Sequence, residues 1–405
     1  MTRAALRPVV LSLFALSACG PMSVAPIAPD GASPDSAVAD GAAPTGCAVP
    51  RSLFGEAPRA IDQVVVARVA RGFVVAAGMG TERVVLVRAF DNEFAPVGDE
   101  LTIRSERTTG EFDWPVLSLR FEGSVGALGY DASVHELSVD DALRVSVVRS
   151  VTPAEGAERF SVLDARPRAF PGTPTRISAI TRDGSVWTLF DSMLQRSARA
   201  QDIARFSDPV SFHYSDRSSA YLSIETRARR DINNVVEIRQ FITGHGALLQ
   251  AGARTELGTN VSPVVPIGSE LVRLHFRRLE STPGGAQLRL QRHNATTGET
   301  IQSEQVAAEQ GYVSSGAIGV SQVRPDPMQA LFVWARSNPT SPNESIVYQW
   351  GLREAPTSLG EVGGRPIVHG ALVDDDGARG WLVYASHTGG VGMPQARVFS
   401  RCVSR

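Results

Sequence analysis

Between Cys47 and Cys402 the chain repeats one cadence, in which short β-branched or aromatic runs are broken by Gly, Asn and Asp. Runs at 64–69, 72–77, 84–90 and 101–103 open the series. The cadence returns at 116–121, 124–130 and 143–148, then at 176–180 and 186–190, and at 220–224 and 235–241. It continues at 271–276 and 287–292, 330–335 and 345–350, and 380–385 and 396–400. Runs this short, bounded by turn residues, read as strands, and no stretch holds a helical period for a dozen residues. The recurrences make seven units of about 51 residues, close to the four-strand repeat of a propeller blade. The cadence predicts an all-β domain over 47–405, a β-propeller of seven blades closed by a seam between its N- and C-terminal strands. Six or eight blades, or two stacked β-sandwiches, would fit the same cadence.

The chain start is different in kind. Arg3 and Arg7 precede an apolar run at 9–16 that is too short to span a bilayer, and small residues lead to Cys19. That order is a secretory signal. Leu16-Ser17-Ala18-Cys19 resembles the lipobox of bacterial lipoproteins. The resemblance implies that 1–18 are removed, that Cys19 carries lipid, and that the membrane is a partner through that lipid. Several acyl chains make a lasting anchor where one does not. Gly20 at the second position implies the outer membrane, on its periplasmic face or at the cell surface. From Gly20 to Gly46 the chain is rich in Pro, Ala, Gly, Ser and Asp and has no aromatic, so 19–46 is expected to be a disordered tether.

With Cys19 acylated, Cys47 and Cys402 remain in an oxidising compartment, where a disulfide between them is expected. A closed ring would bring these two positions side by side. Free thiols or intermolecular bridges are the alternative.

Two stretches resemble known blade sequences. Arg292-His293-Asn294-Ala295-Thr296-Thr297-Gly298-Glu299 is similar to the strand–turn segment of quinoprotein-type blades, although the tryptophan expected after the T-G turn is absent. Phe90-Asp91-Asn92-Glu93-Phe94-Ala95-Pro96-Val97-Gly98 resembles the outer hairpin of secreted bacterial propeller repeats.

Chemical signatures are sparse. All 40 basic side chains are Arg, which removes lysine Schiff bases, lysine general bases and Walker-type lysines. The chain has no nucleophile elbow, zincin helix, P-loop or dinucleotide fingerprint. A net charge of −2 supplies no field for nucleic acid. The histidines are scattered, with His275 and His369 in or beside apolar strands as buried, backbone-satisfied groups. Asp374-Asp375-Asp376-Gly377 reads as a hairpin turn, while Asp374 and Asp376 are the candidate ligands should calcium bind. No other cofactor is expected. His213-Tyr214-Ser215-Asp216 reads as a loop after a strand, and Arg227, Arg229 and Arg230 as a solvated hairpin.

The reading that follows is a lipid-anchored envelope protein, a binding or scaffolding module for protein or glycan. A propeller-type glycosidase, lyase or lactonase is the enzymatic alternative. A structural surface protein without a discrete ligand is the third.

Overall fold

The structure, a computed structural model, describes residues 47, 49–105, 117–131, 133–152, 160–166, 176–181, 185–190, 193–199, 209–215, 220–228, 235–243, 250–257, 259–260, 262, 265–267, 270–278, 285–294, 300–310, 312–321, 323, 325–337, 344–388 and 395–405. All of them belong to one compact unit, Ala43–Arg405. Cys19 and the expected signal and tether lie outside the described residues.

Among the described residues the strands form seven antiparallel sheets, taken consecutively along the chain. The first sheet is built of Gln63–Val69, Gly72–Met79, Val84–Asp91 and Pro96–Arg104. The second is built of Leu117–Glu122, Val125–Tyr130, Ser133–Val139 and Val145–Val151. The third and fourth start at Phe160–Arg166 and Pro209–Ser215. In the fifth, the innermost strand is split into Thr259–Asn260 and Val265–Ile267, both paired with Glu270–Arg278. The sixth starts at Tyr312–Gly319. The seventh takes Arg365–Val373, Arg379–His387 and Ala396–Ser404 from the chain end, and its fourth strand, Arg51–Ser52, from the chain start.

The innermost strand of each sheet meets that of the next, from Gln63–Val69 against Leu117–Glu122 round to Arg365–Val373 against Gln63–Val69. The fifth sheet uses its split strand toward the fourth and Glu270–Arg278 toward the sixth. Consecutive four-stranded sheets with inner strands in a closed cycle are a β-propeller. The predicted β-propeller is therefore present, and among the described residues each recurrence of the sequence falls within its own sheet.

The segment 51–59 runs antiparallel along the outer edge of Ala396–Ser404. Arg51 pairs with Ser400 and Ser52 with Phe399, the Leu53 N–H donates to the Val398 carbonyl at 2.9 Å, and Arg59 exchanges two backbone bonds with Ala396. Cys47 is disulfide-bonded to Cys402 at one end of this zipper. Radial closure would otherwise leave the last sheet with an open edge.

The core lies in the gaps between sheets. Val74, Val85, Val87, Leu117, Leu128 and Leu137 fill the first–second gap, and Val272, Leu290, Phe332 and Trp334 the fifth–sixth. Leu331, Ile346, Leu382 and Tyr384 fill the sixth–seventh gap, and Phe73, Phe90, Phe94, Trp381 and Val383 the seam between seventh and first. All eight residues of Gly72–Met79 are buried, because both faces of that strand are covered. Burying a Val or Phe side chain contributes about 1.5–3 kcal/mol, so each gap is a strong local bond within the ring.

Candidate functional site

Each sheet has a near end, where its innermost strand starts, and a far end, which carries the turn between its first and second strands. Two polar constellations stand out, one at each end.

At the far end, the acidic turn 374–378 joins Arg365–Val373 to Arg379–His387. It is the hairpin that the sequence suggested. The Asp374 N–H donates to the Arg379 carbonyl and Gly377 N–H to the Asp374 carbonyl, with Gly377 at φ 75°. Asp374 accepts from the Arg379 backbone N–H at 3.1 Å and from its Nε at 3.3 Å, and Asp376 accepts from the Ala378 N–H at 2.9 Å. Burial raises the pKa of Asp374, while the Ala378 N–H lowers that of the exposed Asp376. Asp375 reaches across the seam to Arg68 at 2.7 Å, and Arg68 also donates to the Val373 carbonyl. Arg379 crosses the seam too, to Glu93 at 2.8 Å, with its guanidinium 5.5 Å from the Trp381 ring centre. The two candidate calcium ligands thus already accept hydrogen bonds from the turn, within a double ion-pair clasp between the seventh and first sheets. Among the described residues no three His, Cys, Asp or Glu side chains gather as a metal cage.

At the near end, Asp62 precedes the first inner strand. Its backbone N–H donates to the Gly78 carbonyl, and its Oδ2 accepts from the Gly80 N–H at 2.9 Å. Its Oδ1 is enclosed and has no hydrogen-bond partner. Desolvation raises the Asp62 pKa to about 6 against three backbone N–H donors that lower it. Tyr130 ends the second strand of the next sheet and is 1 % exposed, and its hydroxyl also lacks a partner. Burial, then the charges of Asp62 and Asp131, push the phenol upward, with Arg83 opposing. Asp131 follows in the left-handed region at φ 52° and accepts from Ser105 Oγ at 2.7 Å. Gln63 Oε1 accepts from the Leu117 N–H at 2.8 Å and ties the two sheets together beside this pair. Sequence reading did not find this constellation. Asp62 and Tyr130 belong to different sheets, and only a lone Asp before a strand marks the first in the sequence.

The histidines divide. His135 is buried with Nδ1 2.8 Å from Ser150 Oγ, and desolvation lowers its pKa to about 4. His275 is buried, as read from its apolar strand. His369 stands at a bulge on the innermost strand of the seventh sheet, and burial lowers its pKa to about 3. Its Nε2 has no partner, which corrects the expectation that a backbone group satisfies this ring. His213, Tyr214 and Ser215 lie on the innermost strand of the fourth sheet, opposite Ser223, Leu222 and Tyr221, and not on a loop. Arg227 sits on the strand Ala220–Ala228, while Arg229, Arg230 and Asp216 lie outside the described residues. The segment 90–98 connects the two outer strands of the first sheet, as its blade resemblance implies, while Arg292, His293 and Asn294 end the third strand of the fifth sheet and 295–299 lie outside the described residues.

No family model matches the chain, and a search of curated proteins finds no match. Solved structures align along most of its length. A chain of the mitotic checkpoint complex aligns at 13 % identity and TM-score 0.44, covering 95 % of this chain and 98 % of that one. The hydrazine synthase of Kuenenia stuttgartiensis aligns at 11 % and 0.47, covering 78 % and 91 %. The WD40 domain of SCAP from fission yeast aligns at 10 % and 0.42, covering 88 % of each chain. The chain is a β-propeller. That statement rests on its own sheets and their closure.

A closed ring of sheets with buried gaps presents its turns on a rigid frame, which gives this propeller the capacity of a protein-interaction scaffold. Among the described residues no helix is long and apolar enough to cross a membrane.

Proposed function

We propose that this chain is a lipid-anchored, extracytoplasmic propeller that serves as a binding scaffold for protein or glycan at the outer membrane. The observation that carries the reading is the Cys47–Cys402 disulfide. A disulfide between the two ends of a domain suits an oxidising compartment. It also leaves Cys19, in its lipobox context, as the remaining cysteine of three. The Pro- and Ala-rich stretch after Cys19 supplies the reach to hold a rigid ring off a bilayer, on the order of 30 Å if it behaves as a flexible chain.

The test is mass spectrometry of the mature amino terminus, together with fractionation of cells expressing the full chain and Cys19→Ser. The reading expects an acylated Cys19 as the first residue, wild-type protein in the membrane fraction and the variant in the soluble extracytoplasmic fraction. An unmodified Cys19, or a variant that stays with the membrane, overturns the anchor. Crosslinking in intact cells then addresses the scaffold role, which predicts a discrete protein or glycan adduct. Recovery of the propeller alone at every crosslinker length counts against it.

A further inference from the structure

The chain enters the ring at its far end. Cys47 is bonded to Cys402, which lies opposite Trp381, two residues from the start of Arg379–His387. Just beyond, the Arg405 N–H donates to the Ala378 carbonyl of the acidic turn at 2.9 Å. Whatever precedes Cys47 in the chain, Cys19 included, is therefore attached at this end of the seventh sheet.

The same end presents apolar side chains to solvent. Among the described residues five large apolar side chains are exposed, and four of them stand at the far ends of three consecutive sheets. Ile301 opens the outer strand of the fifth sheet, one residue past the His293–Thr300 pair. Val323, 64 % exposed, and Met328 stand on the turn that joins Tyr312–Gly319 to Leu331–Ser337 in the sixth. Val49, 72 % exposed, lies between Cys47 and the paired Arg51 at the edge of the seventh. The fifth, Val148, sits in mid-strand on the outer strand of the second sheet.

The described residues of the sixth-sheet turn are tied down at several points. Pro325 and Pro327 fix φ on either side of Asp326, whose Oδ1 accepts from the Met328 N–H at 2.8 Å. The Met328 carbonyl lies so close to Gly351 that a Cβ there would stand 2.7 Å from its oxygen, and the Gly351 N–H donates to the Ala330 carbonyl. Ser321 Oγ donates to the Asp375 carbonyl at 3.1 Å, joining this turn to the acidic turn of the seventh sheet. A turn so fixed has little ordering left to lose on contact. Arg68 with Asp375, Arg379 with Glu93 and Arg405 with Glu354 form ion pairs within the ring at this end, so these groups need no counter-charge from a partner.

Exposed aliphatic groups of this kind serve contact with protein or with lipid, and the point of attachment selects between them. On the reading that Cys19 is acylated, on which this inference rests, the stretch between Cys19 and Cys47 keeps a lipid surface within reach of the far end. Contact with that surface is then intramolecular, so a few aliphatic side chains suffice where a free partner would need a larger patch. We propose that the far ends of the fifth to seventh sheets lie on the bilayer that holds the anchor, with Val323 and Met328 seated at the level of the headgroups. The near end then faces away from the membrane, toward solution.

The test uses the full-length acylated protein in vesicles of phosphatidylethanolamine and phosphatidylglycerol, carrying one nitroxide on Val323→Cys or, separately, on Met328→Cys. Glu82→Cys, on the exposed near-end turn after Gly72–Met79, is the control. The disulfide keeps Cys47 and Cys402 from the label. Flotation establishes first that the protein is anchored. The two far-end nitroxides should be relaxed by oxygen, which concentrates in lipid, and should lose most of their relaxation by a water-soluble nickel chelate, while the control keeps it. Far-end labels as open to the chelate as the control, in protein that floats, would overturn this proposal and leave the anchor standing. Labels shielded from both relaxants would mean a protein partner or a second copy on this face and would overturn it as well. Protein that does not float would overturn the anchor reading, and this inference with it. The two far-end labels are separate variants, so either decides if the other does not fold.

Discussion

Cys47 and Cys402, separated by 355 residues in sequence, stand with their Cα atoms 4.5 Å apart at the outer edge of the seventh sheet. The bond fixes one end of the segment that zips along Ala396–Ser404, so it stabilises the edge on which closure depends. In the chain-entropy view, a loop this long gives an upper bound of about 5–6 kcal/mol. Cys402→Ser, or reduction of the wild type, should lower the urea midpoint strongly and expose the 47–59 segment to protease before the other sheets open. An unchanged midpoint with the segment still protected would mean that the backbone zipper and the Leu53–Phe54 contacts suffice without the bond.

The far-end clasp makes a smaller claim. Arg379 pairs with Glu93 and Asp374 and lies over Trp381, but its side chain is 40 % exposed, so solvent screens the ion pairs. Arg379→Ala should cost about 1–2 kcal/mol, much of it from lost cover on Trp381, and Glu93→Ala less than about 1 kcal/mol. Trp381→Ala should cost about 3–5 kcal/mol, because it empties the aromatic cluster shared with Phe73 and Phe94. Denaturant titration of the three variants checks the ranking. An Arg379→Ala loss as large as that of Trp381→Ala would show that the ion pairs carry the seam.

Acid should weaken the domain before its ordinary carboxylates titrate. His135 is held neutral in the fold down to about pH 4, while in the unfolded chain it protonates near its usual value of 6.5. The unfolded state therefore binds more protons between those limits, and stability falls as the pH drops from about 6.5 to 4. His369 and His387 act with the same sign. The His135 share is at most about 3 kcal/mol. Asp62 opposes it: its raised pKa means that its contribution is fully present below about 4 and is lost as the pH rises through about 6. Urea midpoints at pH 7, 5 and 4 should therefore decline, and His135→Asn should flatten that decline. A variant with the wild-type slope would assign the acid sensitivity to other groups.

The parts of this fold that were legible in the sequence are those buried on both faces. Gly72–Met79, and Gly380–Ala385 within Arg379–His387, read as unbroken apolar runs because a neighbouring sheet covers each side. The outer strand Thr300–Gln310 is largely polar, since its exposed residues face water, and no apolar run announces it. The inner strand Pro209–Ser215 reads as a loop only when His213-Tyr214-Ser215 is taken alone, since Val210, Phe212 and Tyr214 alternate with Ser211, His213 and Ser215 along it. Turn chemistry showed that Asp374–Gly377 is a hairpin, but its role as a clasp depends on Arg68 in another sheet. The Asp62–Tyr130 gap was illegible for the same reason, because ring closure and not sequence proximity creates it.

The inner strands of the sixth and seventh sheets approach so closely that one position admits no side chain. A Cβ on Gly319 would lie 2.9 Å from the Ala371 carbonyl carbon and 3.0 Å from the Leu372 nitrogen, both backbone atoms that cannot turn away. Gly370 faces the first sheet, where a Cβ would meet Val66 Cγ2 at 3.4 Å, a side-chain atom able to shift by a few tenths of an ångström. Gly319→Ala should therefore cost about 1–3 kcal/mol and Gly370→Ala less than about 1 kcal/mol, although both sit on inner strands. Chemical denaturation of the two variants separates these cases. Equal losses would mean that the Val66 side chain yields no more readily than the Ala371–Leu372 backbone, since the entropy effect common to any Gly→Ala change acts on the unfolded chain and stabilises the fold. A large loss confined to Gly319→Ala would locate the tightest joint of the ring between the sixth and seventh sheets, opposite in character to the polar joint at Asp62.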